Sequence, residues 1–143
     1  MAGFDLKEGM YEVQNVSEDE LWSAFARLFS SKSRNTSSYK FGFLKAILDN
    51  LYNVDVDLKL SFDQLFSKFS EIYWNLILKH GLRQKTATND NRETYLEQVF
   101  HTAEEKYKIL EPMPYESLTA EMMLDISHQA KMKCKKICGG CSV

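Results

Sequence analysis

Three cysteines near the end of the chain come closest, by residue type and spacing, to a site that could do chemistry. Cys134, Cys138 and Cys141 are its only cysteines. Thiolates at this spacing can ligate zinc, but a closed zinc site needs four ligands, usually arranged as two pairs. His128 is the nearest histidine, and it lies almost two helical turns before Cys134. We therefore predict no metal site or cofactor in this chain, and keep the three cysteines as an incomplete ligand set that metal analysis can test.

Basic side chains form the second candidate site. Four cations and no acid lie between residues 31 and 45, at the start of a predicted helix where the helix dipole would favour acids. Hydroxyl and amide side chains in the same stretch, together with N-terminal N–H groups, suit phosphate. Dipole complementation and solubility are enough to explain two later clusters, near residues 79–85 and 131–136. The candidates for contact with DNA are Lys32, Arg34, Lys40, Lys45, Arg83 and Lys85.

No complete catalytic motif is present. His80, His101 and His128 are isolated in sequence, and no glycine-rich phosphate loop or nucleophile elbow occurs. Glu104 and Glu105 fit a solvated helix face. We assign no catalytic residue, and whether the parent protein is an enzyme stays open at this point.

Five segments with helical periodicity position these residues. They cover about 17–30, 39–52, 62–80, 91–107 and 117–138. Ser17 to Glu20 and Ser61 to Gln64 are capping boxes. Ser37 or Ser38 is expected to cap the second helix and Asp90 or Asn91 the fourth, while Gly81 ends the third. Residues 58–60 alternate and predict at most a very short strand.

Apolar residues recur on one face of each segment. The third helix is expected to be central, because Trp74 and Leu78 widen its apolar stripe. Trp22, Trp74 and Tyr115 are the aromatic residues that could form an exposed patch. The second helix is expected to bury Phe43, Leu44, Ile47, Leu48 and Leu51.

Composition places these helices in one all-α domain of about five helices. With 143 residues, 44% of them apolar, the chain can form a core, and its charge of −2 excludes a generally basic coat. We divide it into an irregular lead-in (1–16), a helical domain (17–138) and a tail (139–143). No long apolar run or signal peptide is evident, so we expect a cytoplasmic protein with no membrane partner.

Several segments of this sequence resemble the N-terminal helical region of bacterial HNH endonucleases. The resemblance covers about residues 30–137 and begins at a run from Asn35 to Leu48 that contains a Ser-Tyr-Lys-aromatic-x-aromatic-Leu signature. It continues through residues 60–65, 72–76, 114–118 and 134–136. None of these segments is chemically diagnostic by itself.

The resemblance implies a DNA-binding or target-positioning domain that precedes the nuclease module of an HNH enzyme, in a restriction or phage-defence setting. The catalytic residues and the divalent metal would belong to that following module. We therefore expect this chain to be the N-terminal region alone, shortened or as an independent relative, and not itself catalytic. The alternative is a helical protein-interaction or dimerisation module, such as a homo-oligomer, with no role on nucleic acid.

Overall fold

Helices make up most of the described part of the chain. The computed structural model describes residues 16–30, 38–57, 59–84 and 93–138, without the side chains of 135–138. No strand occurs within these ranges, where Lys59 and Leu60 are irregular. The all-α prediction is therefore confirmed. The helices are α1 (Glu18–Phe29), α2 (Tyr39–Asp49), α3 (Phe62–Trp74), a π-helix (Asn75–Lys79), α4 (Tyr95–Tyr107), a 3-10 turn (Tyr115–Ser117) and α5 (Ala120–Cys138).

Helix α3 lies at the centre of the domain, as its wide apolar stripe predicts. Both α2 and α5 pack against α3, and α4 packs against α5. The α3 side chains Phe66, Phe69, Tyr73 and Trp74 are buried and form the middle of the core. Because aromatic rings prefer tilted or edge contacts to face-to-face sandwiches, they can interlock with rings from neighbouring helices. Trp74, for example, packs edge-on against Phe100 of α4, with ring centroids 5.5 Å apart.

The end of the α3 segment widens into a π-turn. The backbone N–H of His80 donates to the carbonyl of Asn75 at 3.0 Å, five residues back. Gly81 then takes a left-handed φ of 63°, and Leu82 N–H donates to the Leu76 carbonyl at 2.9 Å. The prediction that Gly81 ends this helix is confirmed. The side-chain oxygen of Asn75 also accepts the N–H of Tyr115 at 3.0 Å, which fixes the start of the 3-10 turn.

The buried face of α2 differs from the predicted one. Gly42 and Ala46 are buried against α3, whereas Ile47, Leu48 and Leu51 are exposed. The prediction was right for Phe43, whose ring stacks on Phe69 at 4.1 Å. The reason is side-chain volume. Because α3 presents large aromatic rings, the side of α2 that faces α3 must carry small residues. The most apolar side of α2 therefore faces away from α3.

Helix starts agree with the sequence in two cases and differ in a third. The capping boxes of Ser17 with Glu20 and of Ser61 with Gln64 are both formed. Helix α4 begins at Tyr95 and is capped by Thr94 with Glu97, so the expected start near Asp90 or Asn91 is wrong. Thr94-x-x-Glu97 is itself a capping box.

The two tryptophans occupy opposite environments. Trp22 on α1 is 63% exposed, while Trp74 is fully buried. Tyr115 is buried as well, so of the three aromatic residues considered for a surface patch only Trp22 is exposed. None of the helices in the described ranges is both long and apolar enough to cross a bilayer.

Candidate nucleic-acid interface

Ser38, one of the two predicted caps, is the N-cap residue of α2, but its side chain does not cap the helix. Its side chain makes no capping hydrogen bond to the helix. The hydroxyl lies 3.0 Å from the Tyr73 hydroxyl and donates a hydrogen bond to Oε1 of Gln84. The first turn of α2 also contains no acid. The positive end of the α2 dipole therefore has neither a side-chain cap from Ser38 nor an acidic residue in the first turn to balance it.

Gln84 connects this helix start to two other elements. It follows the end of the α3 segment and is 7% exposed. Its backbone N–H donates to Oε1 of Glu97 at 3.2 Å, and the N–H of Thr94 donates to Oε2 of the same carboxylate at 2.6 Å. Glu97 therefore holds together the two chain positions, 84 and 94, that flank residues 85–93. Through Ser38, the start of α2 joins the same network.

Two backbone N–H groups favour the ionised form of the buried Glu97 carboxylate. Burial alone would raise the pKa of Glu97, but the N–H groups of Thr94 and Gln84 outweigh this and hold the pKa below its ordinary value of 4.5. Only 8% of the residue is exposed. A buried carboxylate that accepts two backbone N–H bonds stabilises the folded state chiefly in its charged form.

We expect Glu97→Gln to lower the free energy of unfolding at pH 7 by about 1–3 kcal/mol, because charge-assisted hydrogen bonds are lost inside the protein. The lowered pKa contributes stability above the ordinary value of 4.5, and that stability is lost as pH falls through the folded-state pKa. Urea unfolding between about pH 7 and pH 3 should show a steeper loss in the original protein than in the variant. Exposed Glu111 provides the control, as Glu111→Gln; equal pH profiles for the original protein and Glu97→Gln would contradict the assignment.

The described basic candidates lie in different surroundings. Lys40 follows Ser38 by two residues, and its ammonium lies 5.8 Å from the centroid of the Phe41 ring. Lys45 pairs with Asp49 at 2.9 Å, one helical turn on. Arg83 is exposed and directly precedes Gln84. Because the Gln84 side chain accepts a hydrogen bond from the Ser38 hydroxyl, Arg83 and the start of α2 are at the same end of the domain. Three candidates, Lys32, Arg34 and Lys85, lie outside the described residues.

The cysteine cluster shows one described side chain. Cys134 is 8% exposed and belongs to the hydrophobic core. Its sulfur is therefore turned inward, while His128 is exposed. The Cys138 side chain and Cys141 lie outside the described part. Within that part, no group of three histidine, cysteine, aspartate or glutamate residues is placed to hold a metal ion.

A groove of about 340 Å³ runs between α4 and α5. Its charged residues include Lys106, whose ammonium is 2.7 Å from Oδ2 of Asp125. The Tyr107 hydroxyl donates to the same oxygen at 2.7 Å. The hydrogen bond from Lys106 holds the pKa of Asp125 below its ordinary value. Lys106, Tyr107 and Asp125 therefore satisfy one another's hydrogen-bonding groups and connect α4 to α5.

Sequence reasoning missed Gln84 and Glu97, which link the start of α2 to α4. Glu97 has a local signal, because it is the last residue of a capping box that begins at Thr94. Gln84 has none, since a side-chain hydrogen bond to a residue 46 positions away leaves no periodic trace. Comparison of the chain with protein-family models, curated proteins and solved structures finds no match in any of the three, so function has to be inferred from these residues themselves.

Proposed function

We propose that this chain is a helical DNA-contacting domain of the kind that precedes the nuclease module in HNH endonucleases, and that it positions the target without cutting it. The observation that carries the proposal is the hydrogen bond between Ser38 and Gln84. It supports a single contact surface built from two basic stretches that are far apart in sequence.

Chain connectivity extends the argument to the remaining candidates. Ser38 directly follows the stretch that contains Lys32 and Arg34, and Gln84 lies between Arg83 and Lys85. With Ser38 and Gln84 in contact, both stretches join the helical body at one place. Cations that converge on one end of a domain give the local positive potential that DNA phosphates require, even in a protein with a net charge of −2.

The start of α2 supports phosphate rather than another ligand. A helix N-terminus offers backbone N–H groups and a positive dipole end, and at α2 neither the Ser38 hydroxyl nor a first-turn acid competes for them. By contrast α1, α3 and α4 all begin with capping boxes that include an acid or an amide. Lys40 in the first turn adds a positive charge, which the helix dipole alone would disfavour at this end.

Lys45 takes part in this proposal as a residue that is already ion-paired. Its ion pair with Asp49 neutralises part of its charge. An exposed pair one turn apart is worth only about 0.3–0.5 kcal/mol, so phosphate could displace it. We therefore keep Lys45 among the phosphate contacts.

The proposal predicts salt-dependent DNA binding that weakens when Lys40 and Arg83 are replaced together. Each phosphate contact contributes a slope of about −0.9 to the plot of log affinity against log salt, so Lys40→Ala with Arg83→Ala should flatten the slope by about 1.8. Fluorescence anisotropy with a labelled duplex over a salt series measures this.

A matched control removes the same number of positive charges elsewhere on the protein. Lys59 pairs with Asp57, and Lys68 pairs with Glu71. Neither lysine is near Ser38 in the sequence, and neither of these ion pairs includes a residue bonded to Ser38. Lys59→Ala with Lys68→Ala should leave the slope unchanged. The proposal is wrong if the original protein does not bind duplex DNA at low salt, or if the two double variants behave alike.

A further inference from the structure

Helix α1 is amphipathic, yet none of its residues is buried. Leu21 and Trp22 on its apolar face are about half or more exposed, and so is Phe29 near its end. An isolated helix of 12 residues is only marginally stable in water, and most helices gain their stability by packing an apolar face. Within the described part of the chain, α1 packs only lightly.

The exposed face of α2 continues this surface. Phe29 of α1 stacks on Phe41 at the start of α2, with ring centroids 5.4 Å apart. From Phe41, residues at helical spacing lead along one face to Leu48, on the side away from Gly42 and Ala46. Leu48 is 47% exposed. We call the joined surface the α1/α2 strip and define it by its six exposed members, Leu21, Trp22, Phe29, Ile47, Leu48 and Leu51.

The size of the α1/α2 strip suits an interface. A large apolar side chain offers roughly 100–250 Å² when fully exposed, so six at about half exposure leave on the order of 500 Å². That is near the upper limit of apolar patches on monomeric proteins. A standard interface buries about 800 Å² on each partner, of which about 60% is apolar. The strip alone therefore supplies the apolar area that one side of such an interface needs.

We propose that the α1/α2 strip is the interface of a symmetric dimer of this chain. Two helices present ridges of side chains that fit grooves of the same spacing, so a two-helix surface can be complementary to itself. A two-fold axis uses the same patch on both subunits and requires no other surface. This inference goes beyond the proposed contact with DNA and does not depend on it.

Sedimentation velocity of the full chain over a concentration series, without nucleic acid, tests the proposal. We expect a reversible monomer–dimer equilibrium. Because Trp22 and Leu48 are already exposed in the monomer, Trp22→Glu and Leu48→Glu should fold normally. Each should weaken association at least about tenfold, since two unpaired carboxylates would enter the interface. Leu110→Glu, at a 93% exposed site outside the strip, should leave association unchanged.

Hydrogen exchange provides a second readout that does not depend on sedimentation. Backbone exchange in α1 should slow as protein concentration rises in the original protein, but not in Trp22→Glu. An original protein that stays monomeric throughout the series would overturn the proposal, because the strip would then need a different cover. A dimer that both strip variants leave intact would overturn it as well.

Discussion

Replacing Gly42 with alanine is expected to lower the free energy of unfolding by about 1–3 kcal/mol or more. A Cβ atom at this position would come closer than 3.0 Å to three atoms at the end of the Tyr73 side chain, two in the ring and the hydroxyl oxygen. Tyr73 is 1% exposed and is held by Ser38 and by rings on either side. The ring therefore has little freedom to move away, and α2 would have to shift from α3.

The expected change in stability for Gly42→Ala has the opposite sign to the usual one. In an ordinary helix interior, replacing glycine with alanine stabilises the protein by roughly 0.5–1 kcal/mol, because alanine loses less conformational entropy on folding. Overlap with Tyr73 acts in the opposite direction and is larger. A stabilised Gly42→Ala variant would therefore contradict the close packing of α2 on α3.

Urea unfolding followed by circular dichroism measures this effect, and a double-mutant cycle identifies its cause. Tyr73→Leu removes the ring atoms that the new methyl group would overlap. If the overlap is responsible, Tyr73→Leu should cost less in the Gly42→Ala protein than in the original one, with a coupling energy of about 0.5–3 kcal/mol. Additive effects would mean that Gly42 acts through something other than Tyr73.

Trp74→Ala is expected to lower the free energy of unfolding by about 3–5 kcal/mol, the usual range for removing a buried tryptophan. Trp74 is fully buried, and it contacts Phe100 and Tyr115 with ring centroids 5.5 and 6.1 Å away. Its indole N–H also donates to the Met113 carbonyl at 2.9 Å. The variant would leave a cavity between α3 and α4 and would release the connection that precedes α5.

Trp22→Ala provides the matched control for Trp74→Ala. The residue type and the substitution are the same, but Trp22 is 63% exposed, so we expect a change within about 0.5 kcal/mol. Unfolding should be measured at concentrations low enough for both proteins to be monomeric. Equal losses for the two variants would contradict the central position of α3.

Local features of this protein follow from residues that are close together in the chain. Helical periodicity identified the five α-helices of the described ranges, and two capping boxes located the starts of α1 and α3. Gly81 marked the end of the α3 segment because a left-handed φ strongly favours glycine. The wide apolar stripe of α3 also predicted its central place. Each of these features depends on residues within a few positions of one another.

Which face of α2 is buried depends on the packing between helices. The most apolar face of α2 holds Ile47 and Leu48, with Leu51 just beyond the helix end, and hydrophobicity alone favours burying this face. The rings of α3 instead require a facing surface of low volume, which Gly42 and Ala46 provide. Hydrophobicity along one segment carries no information about the shape of the segment that will pack against it.

The candidate site divides in the same way. Sequence pointed to the basic stretch before and within α2 and to the cations around Gln84, but as separate clusters. Among the described residues, one hydrogen bond connects Ser38 at the start of α2 to Gln84, and two N–H bonds to Glu97 connect Gln84 to Thr94. Those contacts form only once α3 has brought distant parts of the chain together, because side-chain hydrogen bonds between loops follow the packing of the helices and have no periodic signal of their own.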